Sequence, residues 1–376
     1  MGPDAGGSPL RRREYDEDDV RVRPGKGSRP RTRRRPAHED AVPGFVVAVD
    51  RGRYTCLVGD GITETGVDGG SPPGASTGAR AGRRGTEQHA VTAMRARELG
   101  RKGIVVGDLV SLVGDTSGRP DTLARIVRIE PRTSMLRRSA DDTDEVERPI
   151  VANADQLVIV TALADPPPRP RMIDRLLVAA FDADIEPLLC LTKADLAAPD
   201  ELVSRYEPLG VPYLVVHKGA DLDPLRDRLA HRLSVLVGHS GVGKSTLVNA
   251  LVPDAGRAVS HVNAVTGRGR HTSSSAVALE LPGGGWIIDT PGVRSFGLGH
   301  VVIDNVLAAF PALAEGTVNC PKGCTHRGEE CSLDAWVAAG HADPESLASL
   351  RRLLASRDGA PEDDSPSAET PVPQAD

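Results

Sequence analysis

Aromatic side chains are scarce in this 376-residue chain, which has four Phe, four Tyr and two Trp. That excludes a platform on which successive bases of single-stranded nucleic acid stack, so any RNA contact has to read phosphates and shape. Cysteine is equally sparse, and five thiols are too few for a disulfide scaffold. No apolar run approaches the ~20 residues of a membrane span. The N-terminal "MGPDAGGSPLRRREYDEDDV" has no apolar signal core, and Gly6 stands where a myristoylation signal wants Ser or Thr. A cytoplasmic protein with no membrane partner is the expectation. Basic residues are missing from one end only: none follows Arg357, whereas residues 20–36 hold eight and no acid, an asymmetry that the net charge of −6 conceals.

What is present changes character along the chain. Residues 1–42 are rich in Arg, Pro, Gly and Asp and bury too little to offset ordering, which predicts a disordered basic arm. The runs "FVVAVD", "YTCLV", "GDLVSLV" and "LARIVRI" are separated by Gly and Asp and predict a small all-β unit over 43–138. A Gly/Ser/Pro-rich loop interrupts it at residues 66–85. Over 139–300, apolar runs such as "QLVIVTA", "PLLCLT" and "LSVLVG" alternate with amphipathic stretches such as "IDRLLVAAFDA", the pattern of a parallel sheet covered on both faces. Residues 301–357 read as helical around a Cys/His cluster, and 358–376 as a disordered acidic tail.

"GHSGVGKST", residues 238–246, follows the strand-like "LSVLV" and precedes the helix-like "LVNALV", the context that a phosphate loop requires. Backbone N–H groups of Gly238, His239, Ser240, Gly241, Val242 and Gly243 can turn toward one centre, and the helix that follows adds partial positive charge. Lys244 then reaches the β and γ phosphates, the Ser245 hydroxyl ligates Mg²⁺, and Thr246 closes the motif. Such a loop does not by itself separate ATP from GTP.

"TKAD" separates them. It follows "PLLCL" at the carboxyl end of a parallel strand, where ligands bind. Asp195 can accept from both N1–H and the exocyclic amine of guanine, while adenine would leave that carboxylate unpaired. Lys193 lays its stem along the base, and Thr192 stands where Asn is more usual. In "DTPG", residues 289–292, Asp289 holds Mg²⁺ through water and the Gly292 N–H meets the γ-phosphate. "TGRGRHTSSS", residues 266–275, occupies the place of a first switch, where Thr272 or the adjacent Ser273 is the candidate sensor of γ-phosphate and Mg²⁺. Val293 stands where many GTPases use Gln to orient the attacking water, a task that valine cannot perform.

The motifs run guanine reader, phosphate loop, first switch, "DTPG": the usual GTPase cycle cut and rejoined elsewhere, a circular permutation. Beyond it, "CPKGCTHRGEEC" places Cys320, Cys324, His326 and Cys331 as C-x3-C-x-H-x4-C, within the spacing range of structural zinc. Four protein ligands leave no open coordination place, so one structural Zn²⁺ is expected, with Gly323 easing the first turn.

In "VVGD", "RPIVANADQLVIV", "TKAD", "VGHSGVGKSTLVNAL", "GRGRHTS", "DTPGVRSFGL" and "CPKGCTH" the chain resembles the RsgA family over residues 43–355. These are circularly permuted GTPases that depend on the small ribosomal subunit. The resemblance implies an OB-fold β-barrel, a circularly permuted α/β P-loop GTPase domain and a C-terminal α-helical zinc-binding domain. It also implies hydrolysis of GTP to GDP and phosphate, stimulated by the small subunit in its late maturation, with nucleotide state coupled to release. His271 in the first switch is the implied water-positioning residue. "HTSSS" departs from the family's Thr run, and the cysteine cluster is slightly tighter. "VVHKGAD", residues 215–221, departs from the Ser-Ala segment that backs guanine, so no base contact is assigned there. GTP, GDP, the small subunit and its rRNA are the expected partners of a monomer, with the basic arm on rRNA phosphates. The alternative is a non-catalytic RNA-binding assembly module in which GTP locks one conformation.

Overall fold

The computed structural model describes residues 38–63, 67, 88–100, 103–138, 148–253, 276–290, 298, 300–328 and 330–357. The first-switch stretch, most of the 66–85 loop, nearly all of the N-terminal arm and the acidic tail lie outside the described residues.

β1 (Val42–Asp50), β2 (Arg53–Val58), β3 (His89–Arg95), β4 (Leu109–Gly114) and β5 (Ala124–Ile129) pair in the order β1-β2-β3-β5-β4, and β4 returns to β1. The β3–β5 pairing is parallel and the others antiparallel. A closed five-stranded sheet with this order is an OB-like barrel. Alternate residues such as Val46, Cys56, Val91, Leu112 and Ile126 fill it, because successive side chains of a strand face opposite sides. Burial pushes the Cys56 thiol well above its ordinary pKa, so it packs as a small apolar group. β6 (Met135–Arg138) and β7 (Arg148–Ala152) form a separate two-stranded ladder. Arg132 fastens the barrel to this ladder by forking onto the buried Asp108, at 2.7 and 2.9 Å.

The second sheet takes β8 (Gln156–Ala162), β9 (Glu186–Thr192), β10 (Tyr213–Val215), β11 (Leu233–Val237), β12 (Val277–Glu280) and β13 (Trp286–Asp289) in the order β10-β9-β8-β11-β13-β12. Only the β12–β13 pairing is antiparallel. Every residue of β8 and β11 is buried, as expected of central strands covered by helices on both faces. Burial likewise pushes the Cys190 thiol on β9 up to about 12. The two sheets meet through one strand pair, Ala48 opposite Val277, and through Phe45 set edge-on against Trp286 with ring centroids 5.2 Å apart.

Among the described residues four helices accompany the second sheet: α1 (Pro170–Asp182), α2 (Asp200–Tyr206), α3 (Asp223–Leu229) and α4 (Lys244–Leu251). Beyond β13 lie α5 (Ile303–Ala308), α6 (Pro311–Gly316), α7 (Ser332–Ala338) and α8 (Pro344–Arg357). No helix among the described residues is long and apolar enough to cross a membrane.

The last helix is not an appendage. Leu347, Leu350 and Leu354 recur at helical spacing on one face and share a core with Ile173, Leu176 and Leu177 of α1. Within that contact Asp174, wholly buried, meets Arg352 Nε at 3.2 Å and Arg205 at 3.8 Å. Arg352 also lies over the Tyr206 ring, 5.5 Å from its centroid. Removing one member of a buried charge cluster leaves the others uncompensated. Asp174→Ala is therefore expected to destabilise the protein by about 2–3 kcal/mol, below the full penalty for a deeply buried pair because both arginines reach solvent. Asp174→Leu combined with Arg352→Leu should recover part of that loss. Denaturant midpoints of parent, single and double variants test this, and a single variant as stable as the parent refutes it.

Candidate functional site

The phosphate loop joins β11 to α4, and its glycines serve two different needs. A side chain at Gly238 would put its Cβ 2.4 Å from the Val160 carbonyl oxygen, so only glycine lets the loop lie on β8. Gly241 and Gly243 adopt φ of 88° and 91°, a left-handed backbone that turns the loop into the helix. Val242 is fully buried, whereas Ser240, Ser245 and Thr246 are exposed. The hydroxyls expected to face nucleotide and Mg²⁺ are thus open to solvent. Burial, with lesser help from the charges of Arg169 and Lys193, holds the His239 imidazole below its usual pKa. The ring is neutral near pH 7, and its Nδ1–H donates to the Ser240 carbonyl at 3.0 Å.

Thr192, at the end of β9, turns inward. Its hydroxyl donates to the Val242 carbonyl at 2.6 Å, and the residue is only 7% exposed. Within "TKAD" it therefore ties the guanine segment to the phosphate loop instead of reaching for a base, which explains how a hydroxyl can stand where a carboxamide is more usual. Lys193 adopts φ 58°, and its ammonium donates to the Asp165 carbonyl. Pro166 of the same turn lies 3.4 Å from where a Cβ on Gly241 would be. The turn after β8 thereby backs both motifs. Asp195 is exposed at the mouth of the site.

Residues 215–221, to which the sequence assigned no base contact, reach this reader through Val216: the Ala194 N–H donates to the Val216 carbonyl at 3.4 Å. One signal for that placement was available. The segment follows β10 as "TKAD" follows β9, and adjacent parallel strands deliver their following loops to the same edge of a sheet.

Asp289 ends β13, next to β11. Its carboxylate pairs with the Lys244 ammonium, which also lies 3.4 Å from the Thr290 carbonyl. The Thr290 hydroxyl donates to Leu236 O at 2.8 Å and pins the strand end. Two groups expected to serve phosphate and Mg²⁺ therefore meet at one point. Ser245 and Asp289 offer hard oxygen ligands of the kind Mg²⁺ takes. Gly292, Val293, His271, Thr272 and Ser273 lie outside the described residues.

A second constellation lies in the C-terminal helical region. The ligand atoms of Cys320, Cys324, His326 and Cys331 are all within 4.8 Å of one another. The Cys320 and Cys331 sulfurs are 3.8 Å apart, and His326 Nδ1 is 3.6 Å and 3.7 Å from them. A metal–sulfur bond of about 2.3 Å implies tetrahedral edges of about 3.8 Å, so the donor set fits one four-coordinate ion. Burial lowers the His326 pKa, which keeps the imidazole neutral and its lone pair available.

Comparison with known proteins agrees with this geometry. The family model described as RsgA GTPase matches residues 129–299. A Pseudomonas aeruginosa protein named small ribosomal subunit biogenesis GTPase RsgA is 41% identical over 263 residues, covering 67% of this chain and 76% of that protein. A protein of the same name from Ectopseudomonas mendocina is 41% identical over 271 residues, covering 69% of this chain and 76% of its own length. Among solved structures, YjeQ from Thermotoga maritima superposes with a TM-score of 0.58 at 21% identity, covering 85% of this chain and 100% of that one. YloQ, titled a circularly permuted GTPase, gives 0.55 at 21% identity, over 87% and 98%. At such identity the two structures bear on fold alone. With these sequence relatives and that motif order, the chain belongs to the RsgA family of GTPases.

Proposed function

We propose that this protein binds the small ribosomal subunit and hydrolyses GTP to GDP and phosphate during its late maturation, the subunit stimulating turnover and the nucleotide state governing release. The observation that carries the reading is the meeting of three motifs at one sheet edge. Thr192 bonds to the phosphate loop, and Lys244 of that loop pairs with Asp289 at the end of β13. The names of the relatives supply the ribosomal partner.

In this reading residues 1–42 form a basic arm, 43–138 an OB-fold domain, 139–300 the permuted GTPase domain, 301–357 a zinc-binding helical domain and 358–376 an acidic tail. The protein works as a cytoplasmic monomer. Asp195 and Lys193 take guanine, residues 238–246 and Gly292 take the phosphates, and Ser245, Thr272 and Asp289 hold Mg²⁺. Cys320, Cys324, His326 and Cys331 hold one structural Zn²⁺, which leaves no open position for catalysis. Arm and barrel meet rRNA through its phosphates, so binding weakens steeply with salt.

Multiple-turnover GTP hydrolysis with small subunits, large subunits and buffer alone is the test. Stimulation by small subunits only is expected; equal rates in all three overturn the reading, and tight GTP binding without turnover favours the conformational lock. His271→Ala is expected to leave GTP affinity nearly unchanged and to cut stimulated turnover by roughly 10²-fold, the loss typical of a positioned catalytic group. Undiminished stimulation assigns the attacking water to the ribosome.

A further inference from the structure

His326 sits at φ 57°, a left-handed backbone conformation for a residue that is not glycine. Such a conformation costs of order 1–3 kcal/mol and persists only where the surroundings impose it. The last helix reaches this residue. Arg351 Nε donates to the His326 carbonyl at 3.2 Å, while its two terminal nitrogens fork onto Asp334 of α7 at 2.9 and 2.7 Å. One guanidinium thus joins the ligand loop, the helix that starts beside Cys331, and the helix docked on α1.

Arg351 also brings charge. A guanidinium stays protonated in proteins, and this one is held between the His326 carbonyl and Asp334 of the helix that follows Cys331. Three thiolates around a divalent ion carry a net negative charge, and a neighbouring cation offsets it. Groups that orient metal ligands without touching the metal commonly change metal affinity by 10–100-fold.

We propose that Arg351 is a positioning residue of the metal centre. Held by Asp334, it fixes the His326 ligand, counters the thiolate charge and governs how long the ion stays. The inference rests on the zinc reading above and goes beyond it by naming a residue outside the ligand set.

The test is the rate at which the full-length, zinc-loaded protein loses zinc to a chelator, with the absorption spectrum of the Co²⁺-substituted protein as a second readout. Arg351→Ala is expected to lose zinc roughly 10–100-fold faster than the parent. Its Co²⁺ bands should shift as the imidazole leaves its place. Arg351→Lys keeps the charge without the fork, and Asp334→Asn keeps the guanidinium without its anchor; both should fall between parent and Arg351→Ala. GTP affinity of each variant monitors folding of the remainder. Should Arg351→Ala fail to fold, the two conservative variants decide. Release rates and spectra matching the parent in both would overturn the role of Arg351 while leaving the zinc reading intact. A parent that takes up neither Zn²⁺ nor Co²⁺ overturns the zinc reading and this inference with it.

Discussion

Asp195→Asn is expected to turn a guanine reader into one that prefers xanthine. The carboxylate accepts from N1–H and from the exocyclic amine. An asparagine can accept from N1–H only if its amide then donates to the group at position 2, which suits the carbonyl of xanthine and opposes the amine of guanine. Sites that recognise by hydrogen bonding reject the mismatched partner by about 10⁴-fold, so the ratio of GTP to XTP affinity should swing by roughly that factor. The structure makes the experiment clean, because Asp195 is exposed at the mouth of the site and takes no part in a hydrophobic core. Competitive titration of GTP, XTP and ATP against one fluorescent nucleotide measures the swing. A variant that keeps full guanine preference assigns base reading to another group, with the neighbouring residues 215–221 first in line.

Lys244→Ala should lower GTP affinity by about 10²–10³-fold, the loss for one partner of a desolvated, hydrogen-bonded charge pair. The ion pair with Asp289 adds a second term. Without the ammonium, the Asp289 carboxylate, 28% exposed, faces the incoming phosphates with like charge. In Mg²⁺-free buffer, adding Asp289→Asn to Lys244→Ala should therefore restore part of the lost affinity. The fold should survive, since the ammonium touches only Asp289 and Thr290 among the described residues. Isothermal titration with circular dichroism as control decides. Unchanged affinity in a well-folded Lys244→Ala variant excludes the loop as the phosphate site, and a double variant no better than the single one excludes the repulsion.

Much of the site was legible because its chemistry is local in sequence. Strand, glycine turn and Lys244 are contiguous, so an apolar run followed by "GHSGVGKST" already places phosphate ligands at a strand end. The four candidate metal ligands span twelve residues from Cys320 to Cys331, and the chain between them is too short to separate them far. Motif order alone, guanine reader before phosphate loop, specified the permutation, and alternating β-formers specified a small β unit before the parallel sheet.

Tertiary structure decided the rest. The Thr192 hydroxyl finds a carbonyl 50 residues away, and Arg352 finds Asp174 across 178 residues. The short stretch between "DTPG" and Cys320 suggests a Cys/His module that moves with the "DTPG" segment. The buried contact of α8 on α1, with the Asp174 cluster inside it, instead packs the last helix against the parallel-sheet unit. Whether Thr192 faces a base or a backbone, and whether α8 swings or is held, depends on which apolar faces meet when the whole core packs. Residue spacing dictates what a segment can coordinate, but the partners of a buried polar group are set by elements that approach from elsewhere in the chain.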